Sequence, residues 1–125
     1  MSENNYQEES KQRWGNTTAY KQSVERTKNW KKEDYERVKK EGDELMQEIV
    51  KNMEKGIESP EIQKLIQKWR ENINQFYDTT LEMCQGLADM YIADKRFTEH
   101  YEKYQKGLAK FMHEAIGYYC KANSK

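Results

Sequence analysis

The sequence predicts an all-α protein with a single helical domain. Its 125 residues suit one domain, and only one proline and six glycines interrupt a chain that is rich in Glu, Lys and Gln. No segment shows the alternation of apolar and polar residues that is typical of a strand. Hydrophobic and charged residues each make up 35 % of the chain, so the sequence can supply one modest core.

The charge balance argues against nucleic-acid binding by this chain itself. The 22 Lys and Arg residues equal the 22 Asp and Glu residues in number, whereas nucleic-acid binding normally needs a basic face. No apolar run approaches the length of a membrane span, and no secretory signal is present, so we expect a cytoplasmic protein without a membrane partner. The two cysteines, Cys84 and Cys120, are expected to be free thiols.

Capping residues place the first three helices. Asn16 is the predicted N-cap of a first, weak helix that reaches about residue 29. A second helix is predicted over 32–55, and Gly56 has the character of its C-terminal stop. Ser59 and Pro60 are typical of the N-cap and the first position of a third helix. The apolar face of the third helix contains Ile62, Leu65, Ile66, Trp69, Ile73 and Phe76.

The later helices are placed in the same way. Thr79 and Glu82 have the spacing of a capping box, which predicts the start of a fourth helix. Asp94 is the predicted N-cap of a short fifth helix, and Gly107 marks the joint before the last one. The last helix carries apolar residues at helical spacing: Leu108, Phe111, Met112, Ala115, Ile116 and Tyr119.

The first 30 residues are poorer in large apolar side chains than the rest of the chain. They contain no Leu, Ile or Phe, and their apolar content is mainly Trp14, Tyr20, Val24 and Trp30. Burying one large side chain gains roughly 1.5–3 kcal/mol, whereas ordering each residue costs about 1–2 kcal/mol of backbone entropy. We therefore predict that residues 1–30 form a flexible or ligand-ordered lid and that residues 31–125 form the helical core.

The fourth helix has more apolar surface than one packing face requires. At about 100° per residue, its apolar residues cover an arc of roughly 200°, although a surface helix needs an arc of only ~100°. One stripe consists of Leu81, Cys84, Ala88 and Tyr91. A second stripe consists of Met83, Leu87 and Met90. One stripe must pack on the core, and the other either packs on further protein or lines a ligand cleft.

Three stretches of the sequence resemble one known family. They are "RWGNTTAYKQSVERT" at 13–27, "FYDTTLEMCQGLADMYIADKRF" at 76–97 and "GLAKFMHEAIGYYC" at 107–120. They resemble the TipAS antibiotic-recognition domain, and the resemblance runs from about Tyr6 to Cys120. This domain is the ligand-sensing C-terminal part of some MerR-type multidrug regulators, and it also occurs as a free-standing drug-sequestering protein.

The resemblance implies a fold and a function. The fold would be globin-like and all-helical, with a long cleft and an N-terminal segment that becomes ordered when ligand binds. The function would be binding of bulky, mostly apolar peptide-type antibiotics such as thiopeptides, without a cofactor. The chain would act as the sensor of a transcriptional activator or as a stand-alone resistance protein. An attached DNA-binding domain and a homodimer of the full-length regulator both remain open.

A cysteine of the family prototype captures a dehydroamino acid of the ligand covalently. The position here that matches this cysteine is Gly86, and a second prototype cysteine matches Thr79. Cys84 lies roughly 160° around the helix from Gly86. We therefore do not assign covalent capture to Cys84, and we expect it to be a small buried hydrophobic residue.

The expected ligand contacts are aromatic and methionine-rich, because such side chains adapt to large apolar ligands. Trp14 is assigned to the lid, and Trp69 fits a core position even better than a ligand contact. The predicted ligand-binding residues are Trp14, Trp69, Tyr77, Met83, Leu87, Met90, Tyr91 and Tyr118.

Other kinds of site have little support. His100 and His113 lack a metal-binding spacing, and no nucleophile–base pair is evident, so we expect neither a metal site nor an enzyme. The alternative function is a helical interaction module that docks a partner helix in the same groove.

Overall fold

Helices account for most of the part of the chain that the structure describes. The computed structural model describes residues 18–124, apart from the side chain of Ala19. It contains α1 (Thr18–Thr27), α2 (Lys32–Asn52), α3 (Pro60–Ile73), α4 (Leu81–Ala93), α5 (Lys95–Glu102) and α6 (Leu108–Asn123). A short 3-10 turn, Met53–Lys55, follows α2. No strand occurs in residues 18–124, so the predicted all-α class is confirmed. The predicted cap Asn16 lies outside the described residues.

Two helix pairs share one core. Helix α2 packs on α3, α4 packs on α6, and α3 joins the pairs through its contact with α6. Helix α5 is short and closes the second pair against α4 and α6. Large aliphatic side chains contribute about 1.5–3 kcal/mol each when they are fully buried. The most deeply buried side chains come from both pairs: Ile49, Ile62, Ile66, Cys84, Leu108, Met112 and Ile116.

Most of the predicted caps are confirmed. The Ser59 hydroxyl accepts from the backbone N–H of Ile62, with Pro60 at the first helical position of α3. Gly56 has a φ of 94°, which suits glycine after a helical segment. Asp94 caps α5 by accepting from the N–H of Arg96 at 3.0 Å.

The predicted capping box at Thr79 is wrong by one residue. Thr80 is the N-cap of α4, and its hydroxyl accepts from Met83 N–H at 3.1 Å. Thr79 is buried instead, because Arg70 Nε donates to its carbonyl oxygen at 2.8 Å. The backbone N–H of Thr79 also donates to the side-chain oxygen of Asn74 at 2.8 Å. These two contacts turn Thr79 inward and leave Thr80 to cap the helix.

A carboxylate replaces the missing cap at the start of α6. Gly107 occupies the N-cap position with a φ of 90°, and it has no side chain to accept a hydrogen bond. The carboxylate of Glu102 accepts from Gly107 N–H at 2.9 Å and from Ala109 N–H at 3.1 Å. Glu102 therefore satisfies two of the backbone donors that a helix start leaves unpaired.

Acid should weaken this cap. The two backbone donors hold the pKa of Glu102 below its ordinary value of 4.5, because they stabilise the carboxylate. A carboxyl group whose pKa is lowered by folding contributes stability above its ordinary pKa, and that stability is lost as the pH falls through its folded pKa. We expect Glu102→Gln to lower the melting temperature at neutral pH, with the difference from wild type shrinking below about pH 4.5.

The matched control is Glu99→Gln, since Glu99 is exposed on the same helix and pairs only with Lys95 among the ion pairs described. Circular dichroism melts across the acid range provide the measurement. A difference between Glu102→Gln and wild type that stays constant through the acid range would contradict the capping role.

Candidate ligand-binding face

The two apolar stripes of α4 have different environments. Cys84 and Ala88 are fully buried, and Tyr91 is only 5 % exposed, so the first stripe packs into the core. Met83, Leu87 and Met90 are each half-buried. These three residues are called the α4 stripe below. They share one side of the helix, and all three keep apolar surface that water can reach.

The polar edge of α4 lies against α6. Gln85 donates to the carboxylate of Asp89 at 3.0 Å, and His113 Nε2 lies 3.1 Å from the same carboxylate oxygen. Leu87 and Asp89 project about 160° apart around the helix. The α4 stripe is therefore on the flank of the helix that faces away from this contact with α6.

Open space lies beside the α4 stripe at Gly86, where the helix has no side chain. Gly86 is exposed, and no atom lies within 4 Å of the position that a Cβ would take there. Met83 and Met90 are three and four residues away, so they lie on the adjoining turns of the same side of α4. The missing side chain leaves a notch between two flexible methionines.

Gly86 should be replaceable without strain. Alanine in the interior of a helix is favoured over glycine by about 0.5–1 kcal/mol, and nothing near Gly86 would collide with the added methyl group. We expect Gly86→Ala to raise the free energy of unfolding by about that amount, measured by urea denaturation. The control is Gly107→Ala, which should be destabilising because the φ of Gly107 is 90°. A loss of stability in Gly86→Ala would show that the notch is already filled.

Neither thiol is suited to attack a ligand. Cys84 is fully buried, and burial raises its pKa to about 11. Burial also raises the pKa of Cys120, whose Sγ–H donates to the carbonyl oxygen of Leu81 at 3.3 Å. The reactive form of cysteine is the thiolate, so both side chains are in their unreactive form at neutral pH. The expectation that Cys84 is a buried hydrophobic residue is confirmed.

Two of the predicted ligand contacts lie in the core. Trp69 is 4 % exposed and Tyr91 is 5 % exposed, and Trp69 Nε1 donates to the Tyr91 hydroxyl at 3.3 Å. The Tyr91 ring also packs against Tyr101 with ring centroids 4.6 Å apart. The apolar faces of α3 and α4 meet at these rings, which leaves almost none of their surface accessible. We therefore assign Trp69 and Tyr91 to core packing in this conformation.

Of the other three predicted aromatic contacts, Tyr77 and Tyr118 lie in the described part of the chain. Tyr77 is half-buried in the loop before α4, and Tyr118 is half-buried on α6. Trp14 lies outside the described residues. Tyr77 and Tyr118 retain accessible ring surface, and their contact with a ligand stays a prediction.

Sequence reasoning missed a polar cluster that joins α1 to the loop before α4. Arg26 donates to the carboxylate of Asp78 at 2.8 Å and to the carbonyl oxygen of Asn74 at 2.9 Å. Gln22 accepts from Asp78 N–H at 2.9 Å and donates to its carboxylate at 3.3 Å. The hydrogen bond from Arg26 is the main reason that the pKa of Asp78 is lowered. Gln22, Arg26 and Asp78 are called the α1 clasp below.

A groove lies on the other helix pair. It has a volume of about 580 Å³ and lies between α2 and α3, with Leu45 and Leu65 among its lining residues. None of the predicted ligand-binding residues lines it. Its rim carries the carboxylates of Glu41, Glu44, Glu48 and Glu71. An apolar ligand would have to desolvate these charges, which is unfavourable, so this groove is a poorer candidate than the α4 stripe.

The described residues show no sign of a metal site. Within residues 18–124, no three His, Cys, Asp or Glu side chains are grouped so that they could hold a metal ion. No helix in that range has the length and apolar character needed to cross a membrane.

Comparison with known proteins identifies the family. A model of the TipAS antibiotic-recognition domain matches residues 6–119. The HTH-type transcriptional activator TipA of Streptomyces coelicolor is 40 % identical over 114 residues, which cover 89 % of this chain and 45 % of the activator. The HTH-type transcriptional activator mta of Bacillus subtilis is 34 % identical over 116 residues, covering 92 % of this chain and 45 % of that protein. The chain thus spans about half the length of these curated relatives.

A solved structure agrees with the sequence comparison. TipAS from Streptomyces lividans, in complex with the thiopeptide antibiotic nosiheptide, matches this chain with a TM-score of 0.89 and 35 % sequence identity. The match covers 100 % of this chain and 90 % of that chain. With the fold, the helix order and the sequence all in agreement, this chain belongs to the TipAS antibiotic-recognition domain family.

Proposed function

We propose that this chain binds a bulky, largely apolar peptide antibiotic of the thiopeptide class on the α4 stripe. Membership of the family and the likeness to a nosiheptide complex support the ligand class. They favour it over the alternative, a docked partner helix. The observation that carries the proposal is the half-buried state of Met83, Leu87 and Met90, in a chain with only 35 % hydrophobic residues.

Binding would be driven by burial of apolar surface. Unbranched methionine side chains adapt to irregular ligand shapes, and the notch at Gly86 gives a ligand substituent room between two of them. Tyrosine hydroxyls at the edge of such a site fix orientation while their rings pack on the ligand. Tyr77 and Tyr118 are the residues proposed for this role. The complex would be non-covalent, since both thiols are held in their unreactive form.

The N-terminal 30 residues would complete the site as a lid. They carry Trp14, which has few apolar neighbours in its own part of the sequence. Ordering of this segment on a ligand would favour one conformation of any domain joined to it. In a longer regulator, this change of conformation would transmit the presence of the antibiotic to a DNA-binding dimer. In a stand-alone protein it would only lower the free concentration of the drug.

The direct test is titration of the purified chain with nosiheptide. We expect a rise in melting temperature, a change in tryptophan fluorescence and saturation by calorimetry. A ligand at 100 times its Kd stabilises the folded state by about 2.7 kcal/mol. Mass spectrometry under denaturing conditions should recover the unmodified chain. If saturating nosiheptide and other thiopeptides change neither melting nor fluorescence, the proposed ligand class is wrong.

A further inference from the structure

Either of two adjacent threonines has the chemistry to start α4. Thr79 has the capping-box spacing with Glu82, but Thr80 is the N-cap in the structure. If Thr79 capped the helix, its carbonyl oxygen would accept the first intrahelical hydrogen bond, from Met83 N–H. Instead, the Thr80 hydroxyl accepts from Met83 N–H at 3.1 Å. The two starts of the helix therefore differ in the acceptor that Met83 N–H uses.

Side chains at the end of α3 occupy both backbone groups of Thr79. Arg70 Nε donates to the Thr79 carbonyl oxygen at 2.8 Å, which engages the acceptor that Met83 N–H would need. Asn74, the C-cap of α3, accepts from Thr79 N–H at 2.8 Å. In a capping box, the carboxylate of Glu82 would accept from this N–H. The end of α3 thus opposes a helix start at Thr79 through both its donor and its acceptor.

Arg70 is itself held in place by α6. Its Nη1 donates to the Tyr119 hydroxyl at 3.3 Å, and the guanidinium carbon lies 6.0 Å from the centroid of the Tyr119 ring. Tyr119 is only 4 % exposed, and its hydroxyl also donates to the side-chain oxygen of Gln67 on α3. One guanidinium therefore links α3 and α6 to the residue that precedes the cap of α4.

The start of α4 determines the direction of the loop before it. One additional helical residue would rotate the point at which the chain enters the helix by about 100° and move it by about 1.5 Å along the axis. Tyr77, which is proposed as an antibiotic contact, lies two residues before Thr79, and the Thr79 hydroxyl donates to its carbonyl oxygen at 3.3 Å. A helix that began at the other threonine would therefore point Tyr77 in a different direction relative to Met83.

We propose that Arg70 is a positioning residue for the antibiotic site, because it fixes Thr80 as the start of α4 and thereby fixes the direction of Tyr77 relative to the α4 stripe. The consequence for affinity rests on the proposed antibiotic binding, whereas the choice of cap does not. Without the guanidinium, the Thr79 carbonyl oxygen accepts from Met83 N–H, and the helix begins one residue earlier.

Backbone chemical shifts of Thr80 test which residue starts α4. Thr80 has a φ of −72° and a ψ of 165°, which is extended backbone. We expect carbon shifts typical of extended backbone at Thr80 in the wild type and helical shifts in Arg70→Met. Lysine keeps the charge but lacks the planar fork that reaches two acceptors. Arg70→Lys should therefore give intermediate shifts, and it keeps the test usable if Arg70→Met does not fold.

The matched control is Gln63→Met on the same helix. Gln63 donates to the carbonyl oxygens of Ile57 at 2.7 Å and of Ala115 at 3.1 Å. The substitution removes hydrogen bonds of α3 without touching the loop before α4, so it should lower the melting temperature and leave the Thr80 shifts unchanged. Wild-type shifts at Thr80 in every Arg70 variant that folds overturn the role of Arg70, and so do shifts typical of an unfolded chain.

Nosiheptide affinity tests the positioning role. We expect Arg70→Met to weaken binding about fivefold, the factor for one misplaced contact, with Gln63→Met binding like wild type and Arg70→Lys in between. In a Tyr77→Ala background, Arg70→Met should cause no further loss, since both substitutions remove the same contact. Equal affinity of Arg70→Met and wild type overturns the positioning role, and an undiminished loss in the Tyr77→Ala background overturns its action through Tyr77. If wild type binds no thiopeptide, the proposed function fails, while the Thr80 shifts still decide whether Arg70 sets the start of α4.

Discussion

The double variant Met83→Gln, Met90→Gln is expected to bind nosiheptide roughly tenfold more weakly than wild type. Both side chains are partly buried, so about a third of each apolar surface at most is free to contact a ligand. Burying that remainder is worth roughly 0.5–1 kcal/mol per side chain, and a total loss of about 1.4 kcal/mol corresponds to this change in Kd. Glutamine is close to methionine in length and in helix propensity, so the ligand-free domain should keep most of its stability.

The matched control is Ile92→Gln on the same helix. Ile92 is 49 % exposed, and it projects about 160° away from Met90. The control should leave the Kd for nosiheptide unchanged in calorimetry. Equal weakening by both substitutions would indicate a general change in α4, and unchanged affinity of the double variant would remove the α4 stripe from the site.

Trp69→Ala is expected to destabilise the ligand-free domain by about 3–5 kcal/mol. The indole is 4 % exposed, and its N–H donates to the Tyr91 hydroxyl, so the substitution leaves both a cavity and a lost hydrogen bond. Domains of this kind have a total stability of only about 5–15 kcal/mol, and the loss is therefore a large fraction of it. Urea denaturation followed by circular dichroism measures the change.

A milder variant keeps this test informative if Trp69→Ala does not fold. Trp69→Phe keeps an aromatic ring but removes the donor to Tyr91, so we expect a smaller loss, on the order of 1 kcal/mol from the hydrogen bond. The stability and the nosiheptide affinity of these two variants together show whether Trp69 is a core residue or a ligand contact. Wild-type stability combined with a large loss of nosiheptide affinity would show that Trp69 belongs to the binding face after all.

The helices were predictable wherever their ends depend on neighbouring residues. Ser59 caps α3 through an amide three residues away, and Asp94 caps α5 through one two residues away, so the signal is contained in a short stretch of sequence. The cap of α4 was misplaced because Thr79 and Thr80 carry the same hydroxyl. The choice between them depends on Arg70, which lies nine residues before Thr79 and reaches it only in the folded chain.

The candidate site was predictable to the extent that helical periodicity determines it. The helical period places the α4 stripe on a different side of α4 from the buried residues Cys84 and Ala88. It could not place the Tyr91 ring, because that depends on how α3 meets α4 around Trp69. The α1 clasp had no local signal at all, since Asp78 lies 52 and 56 residues from its two partners.

The state of the two thiols determines how long a bound antibiotic would stay, with Cys84 buried and Cys120 partly buried. Cys84 and Cys120 are the two cysteines of the chain, and neither can form a bond that outlasts the encounter while it remains a neutral thiol. Occupancy would then rise and fall with the free antibiotic. Removal of the antibiotic would return all of the protein to the ligand-free state, and the same molecules could bind again without new synthesis.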